Sequence, residues 1–276
     1  MRIDSHQHFW KYTPQDYPWI DQSMEKIRQN HLPEDLKPHL DAHGIDGCIT
    51  VQCCHSESES DFLLDLADQH DFIKGVVGWV DLRADDVEQK LEHYSGNPNF
   101  KGVRHVAQSE PKGFLLDSKF IRGITALTQY NLTYDVLIFP HQLKEALDFV
   151  RLNPKQAFVI DHLAKPYIKN GLIDDWKVDM QKIAKMPNVS CKVSGMVTEA
   201  DWSNWTVESF FPYLDVLLNV FGIDRVMFGS DWPVCNVAAR YDQVIEIVEM
   251  YGANFTNDEK SKLFGLNAKS FYNIGS

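Results

Sequence analysis

The chain has 276 residues, 44% hydrophobic, 12% aromatic and 24% charged, a make-up that excludes disordered and fibrous classes. A formal net charge of -12, with no basic run to offset it, argues against nucleic acid and anionic membrane surfaces as partners and leaves small molecules. Five cysteines in a chain large enough to fold without cross-links, and no apolar run of signal-peptide or membrane-spanning kind, lead us to expect reduced thiols and a cytoplasmic protein.

Short β-branched runs alternate with longer amphipathic ones. The first strand is expected over residues 2–9, "RIDSHQHF", where alternation puts Asp4, His6 and His8 on one face. Residues 11–39, rich in proline and aromatics, form a long connection that reads either as a wall of a binding pocket or as packing alone. Further strands are expected at 47–52, 73–82, 101–106, 132–138, 157–163, 189–196 and 225–234, with helices such as 60–71 and 141–153 carrying apolar residues at helical spacing. Eight strands alternating with helices predict a single (β/α)8 barrel domain over the whole chain, 1–276. A doubly wound open sheet is the competing fold, but no glycine-rich phosphate loop follows the first strand.

In a (β/α)8 barrel the chemistry sits at the C-terminal strand ends. Those positions hold His6, His8, Gln52, Arg104, Asp135, His162, Lys192, Ser194 and Asp231. Three imidazoles and one carboxylate, His6, His8, His162 and Asp231, make up either the ligand set of one divalent metal or the acid-base set of a hydrolase. Cys53 and Cys54 would point to opposite faces and make a poor nucleophile or metal pair.

"DSHQHFW", "KGVRH", "DHLAKP", "KVSGM" and "FGSDWPV", together with "VVGWVDL" and the closing "GLNAKSFY", resemble the amidohydrolase superfamily, in particular its sugar-lactone hydrolases acting on L-fuconolactone and L-rhamnonolactone. The resemblance runs from residue 3 to about residue 271 in order and spacing. It implies a (β/α)8 barrel, hydrolysis of an L-fuconolactone-like aldonolactone, catalytic His6, His8 and His162, and Asp231 as general base. It also implies two forms of the chemistry. Either one divalent ion, zinc by its ligand set, polarises the carbonyl, or the histidines act on the oxyanion without metal.

The binuclear members use a bridging lysine on a middle strand, which "LTYDVLI" lacks, and Lys192 stands where a later histidine is expected; at most one ion is therefore expected. Lys192 would bind substrate or snorkel out of the barrel. Gln52 and Arg104 suit hydroxyl or carbonyl recognition, and Trp10, foremost among the tryptophans, suits stacking on a sugar face. A metal-dependent decarboxylase or amide hydrolase acting on a small carboxylated substrate, and a non-catalytic binding barrel, are the competing functions. Oligomeric state is left open by the sequence.

Overall fold

The computed structural model describes residues 1–275. Eight parallel strands follow one another around a single sheet in sequence order: β1 (Ile3–Gln7), β2 (Gly47–Val51), β3 (Ile73–Gly78), β4 (Phe100–His105), β5 (Thr133–Val136), β6 (Phe158–Ile160), β7 (Val189–Val193) and β8 (Val226–Phe228). The sheet closes on itself, because Gln7 bridges Trp232 and His6 C=O accepts from Asp231 N–H at 2.8 Å. A doubly wound sheet would reverse its strand order; this one never does. The helices between strands are α1 (Pro33–Ala42), α2 (Glu57–Gln69), α3 (Val87–Ser95), α4 (Ser118–Leu127), α5 (Leu143–Leu152), α6 (Asp174–Ile183) and α7 (Phe211–Phe221), and α8 (Tyr241–Tyr251) follows β8. Among the described residues no helix is long and apolar enough to cross a membrane.

Local chemistry explains these elements. In α5, Leu143, Ala146, Leu147 and Val150 fall on one face and are all buried against the barrel. Asp117 caps α4 by accepting from Lys119 N–H and Phe120 N–H at 2.9 and 3.1 Å. The main core lies between strands and helices. A second, inside the barrel, is built from Ile3, Ile49, Val51, Val77, Val159 and Met227, and the C-terminal segment plugs it with Ala268, Tyr272 and Ile274.

Two sequence expectations are corrected. Several strands are shorter at their C-terminal ends than their apolar runs, β8 stopping at Phe228 and β6 at Ile160, because the chain there turns left-handed at His162 and Asp231 and leaves the ladder. Asp4 does not share a face with His6 and His8. The β1–β2 register shifts between Asp4 and Gln7, and such a bulge breaks the two-residue alternation. Asp4 therefore meets the Tyr241 hydroxyl of α8 at 3.2 Å and Ser230 N–H at 2.8 Å.

The long connection before β2 is no bare loop. Its residues Tyr17, Ile20 and Ile27 join Trp10, Cys53 and Val237 in a separate apolar cluster. Tyr17 also donates to the buried Glu59 carboxylate, which takes Cys53 and Cys54 N–H at 3.0 and 2.8 Å.

Candidate active site

The strand-end residues converge. Asp231 Oδ1 lies 3.3 Å from His8 Nε2, 3.8 Å from His162 Nε2 and 3.9 Å from His6 Nε2, and all four side chains are almost wholly buried. Two of them stand on unusual backbone. Asp231 has φ 58, and His162, Leu163, Ala164 and Lys165 form a run of four left-handed residues with φ 53 to 56. Each such non-glycine residue costs about 1–2 kcal/mol, and strain of this kind gathers at functional sites. Glycines make the room: a Cβ on Gly195 would lie 2.4 Å from His162 Nδ1, and one on Gly229 would lie 2.6 Å from His6 Cβ.

Orientation follows from the outer ring nitrogens. His8 Nδ1 faces Val51 C=O at 2.7 Å, and since a carbonyl only accepts, Nδ1 carries the proton. Nε2 of the neutral ring then presents a lone pair to the Asp231 carboxylate. Two acceptors meet, an arrangement that suits the protons of a water or a cation. His162 Nδ1 is held by Ser194 Oγ at 2.9 Å.

A charged floor lies beneath His6. Lys192 Nζ sits 3.0 Å from His6 Nδ1, 2.5 Å from Asp135 Oδ2 and 3.0 Å from Asp161 Oδ1. Arg104 donates from Nε to Gln52 Oε1 at 3.0 Å, from Nη2 to Gln52 C=O and from Nη1 to Asp161 Oδ2 at 3.1 Å, with Nη1 also 3.3 Å from His6 Nε2. Tyr272 reaches up from the plug to donate to Asp135 Oδ2 at 2.8 Å. Lys192 is fully buried, so it does not snorkel out. Trp10 is fully buried too, its indole N–H donated to Gln29 C=O at 2.8 Å; it backs His8, with ring centroids 6.3 Å apart, and shows no free face.

Burial lowers His162 to about 4 and, seconded by the Lys192 charge, takes His6 well below the ordinary imidazole range. His8 is also lowered by burial. Burial works against ionisation of Asp231, but the surrounding imidazoles, His162 first, and the Lys165 charge outweigh it and hold the carboxyl below its usual range. In the same way Lys192, His6 and Arg104 overcome burial to keep Asp161 strongly ionised. The centre is thus an ionised carboxylate ringed by neutral imidazoles. Burial keeps the Cys53 thiol far up and takes that of Cys54 to about 11, so neither is a thiolate at neutral pH.

His6, His8 and Asp231 are close enough to share an ion. With His162 they offer three imidazole nitrogens and a carboxylate oxygen, the donor types of a four-coordinate divalent ion, and the Val51 and Ser194 contacts are of the kind that orient metal-binding histidines. His6 is the least available, since Arg104 already meets its Nε2. His6, Asp161 and His162 also cluster, but Lys192 and Arg104 crowd that set with two positive charges. A third cluster, His55, His105 and Glu110, fits a metal poorly. Trp79 N–H points at His105 Nδ1 at 3.2 Å, which puts the ring proton on Nε2, toward Glu110 at 2.8 Å.

Asp161, Tyr272 and the plug escape a reading of the sequence alone. Asp161 adjoins His162, and strand alternation would send one of the two outward; the left-handed turn brings both to the site.

Residues 3–274 match the amidohydrolase family model. The sequence is 38% identical to an L-fucono-1,5-lactonase of Burkholderia multivorans and 34% identical to one of Burkholderia ambifaria, in each case over 99% of this chain and 96% of the relative. A crystal structure of an amidohydrolase from Burkholderia multivorans with bound zinc superposes with a TM-score of 0.97 at 37% identity, covering 100% of both chains.

Proposed function

Because this chain belongs to the amidohydrolase family, we propose that it hydrolyses a sugar-acid lactone, an L-fuconolactone-like six-carbon aldonolactone before others, with Asp231 as general base. The observation that carries this reading is the buried, ionised Asp231 carboxylate facing the His8 Nε2 lone pair at 3.3 Å. A water between these acceptors gives one proton to Asp231 as its oxygen attacks the lactone carbonyl carbon. The carbonyl electrons become an oxyanion, toward which His162 presents its Nε2–H, with His6 held beside it between the fixed Arg104 and Lys192 charges. Collapse of the adduct breaks the bond to the ring oxygen, which takes the proton from Asp231 and leaves the open hydroxy acid. Where a single divalent ion is bound, zinc by its ligand set, His8, His162 and Asp231 with His6 would hold it, and it would polarise the carbonyl.

Gln52, Arg104 and Lys192 serve substrate binding from beneath, as a floor whose donors are already fixed, and Trp10, with no face free for a sugar, backs His8. Arg104 pairs with Asp161, and Lys192 pairs with Asp135 and Asp161, so neither is free for a substrate carboxylate; this favours a neutral lactone over the carboxylated substrates of a decarboxylase. We place the activity in one domain and in the cytoplasm, in keeping with five free cysteines. Asp231→Asn keeps the size and removes the base, and is expected to cut kcat by about 10²- to 10⁴-fold with the thermal midpoint retained. A folded variant turning over the lactone at the wild-type rate would rule out the role.

A further inference from the structure

The closing run "GLNAKSFY" is anchored at the end of the barrel opposite the site. Asn267 Nδ2 donates to Ile223 C=O and to Val226 C=O, each at 2.7 Å, where β8 begins. Lys101 Nζ donates to Asn273 C=O at 3.2 Å, beside the start of β4. From the short helix Asn267–Phe271 between these anchors the chain sends Tyr272 into the barrel interior, where its ring is fully buried in the apolar plug.

An apolar plug has no use for a hydroxyl, which costs free energy when buried unless it is hydrogen-bonded. This one donates to Asp135 Oδ2 on β5 at 2.8 Å. The same oxygen takes Lys192 Nζ at 2.5 Å, and among the described residues Asp135 Oδ1 finds no hydrogen-bond partner. The buried carboxylate is therefore held through one oxygen by two donors. Burial raises Asp135 to about 6, and Lys192 first, then the Tyr272 hydroxyl, oppose that rise. The Lys192 ammonium also lies 5.5 Å from the centre of the Tyr272 ring, within cation–π reach.

Lys192 carries the effect to the site. Its other neighbours are Asp161 Oδ1 and His6 Nδ1, both at 3.0 Å, so the three hydrogens of the ammonium face three groups, and its place against His6 is set by the two carboxylates. If Asp135 turned away, Lys192 would follow Asp161 alone and leave the His6 ring unsupported on that side.

We propose that Tyr272 is a positioning residue for the reaction: its hydroxyl, braced from the far end of the barrel, fixes Asp135 and through it the Lys192 ammonium against His6. The inference rests on the lactonase reading only for the reaction that this strut serves.

Tyr272→Phe keeps the ring and the plug and removes one oxygen. It should lower kcat for a six-carbon aldonolactone by about tenfold with KM nearly unchanged, because the hydroxyl lies beneath the site and touches no substrate. In a protein already carrying Asp135→Asn the same change should cost nothing further, as expected of two groups acting through one contact. Independently of turnover, the imidazole nitrogen NMR signals of His6 should move in Tyr272→Phe while those of His55 stay. Asp135→Asn should move the His6 signals as well, which keeps the test open if Tyr272→Phe fails to fold. A folded Tyr272→Phe with wild-type kcat and unmoved His6 signals overturns the strut, as does a raised KM with kcat kept, or a kcat loss that adds in full to that of Asp135→Asn. His6 signals that move in Tyr272→Phe, in a protein that opens no aldonolactone, would instead uphold the strut and sink the lactonase reading.

Discussion

Asp231 and His162 place opposite demands on the same few cubic ångströms, one needing its charge and the other refusing it. Burial lowers His162 to about 4, while its neighbours keep Asp231 ionised. The working protonation state therefore persists well below the ordinary imidazole value, and kcat/KM should hold down to about pH 5 and fall through a limb near 4. A pH-rate profile checks this; a limb near 6.5 would contradict it. The stability consequence has a definite sign. An unfolded chain protonates this histidine at 6.5 and the folded chain only at about 4, so its contribution falls as pH drops through that window. Asp4 and Asp135, each raised to about 6 by burial, act in the opposite direction there, so the activity limb is the cleaner readout. His6, His8, His162 and Asp231 were legible in the sequence because they end strand-like runs. Asp161 was not, because the backbone at His162 departs from the alternation on which such reading depends.

At the level of elements, the strand-to-helix turns carry the chemistry. The turn after β7 needs Gly195, whose φ of +61 and close approach to the His162 ring leave no space for a Cβ. Gly195→Ala is expected to push the imidazole off Asp231, lowering kcat by at least about tenfold, and to destabilise the fold by about 1–2 kcal/mol from the left-handed backbone alone. Denaturant unfolding run beside steady-state kinetics measures both. Unchanged kcat would show that His162 does not need its observed position. All eight strands could be placed from their β-branched runs, and the α2 and α5 helices from their apolar spacing. The bulge in β1 could not, since one inserted residue leaves composition untouched while turning Asp4 toward α8. Nor does periodicity reveal why the C-terminal segment matters: Tyr272 acts through a hydrogen bond to Asp135 across 137 positions of sequence.

For the whole molecule, barrel closure joins residues far apart in the chain into one polar centre above an apolar plug. That centre holds two buried cations, Arg104 and Lys192, inside a protein of net charge -12. They are paired with Asp135 and Asp161, which leaves Asp231 beside the histidines as the carboxylate for a metal. One ion at most is expected, and elemental analysis of protein purified with zinc should find no more than one per chain; two tightly held ions would refute the mononuclear reading. The overall charge indicates a small-molecule partner without naming it, and the choice among small molecules comes from the site, where the buried cations are already paired. That choice is tested most directly by a pH-indicator assay of the wild-type protein across six-carbon aldonolactones, set beside carboxylated aromatic and dienoic acids. Acid release from a six-carbon aldonolactone, L-fuconolactone foremost, is the expected result. Inertness toward every aldonolactone, with turnover of a carboxylated substrate instead, would contradict it.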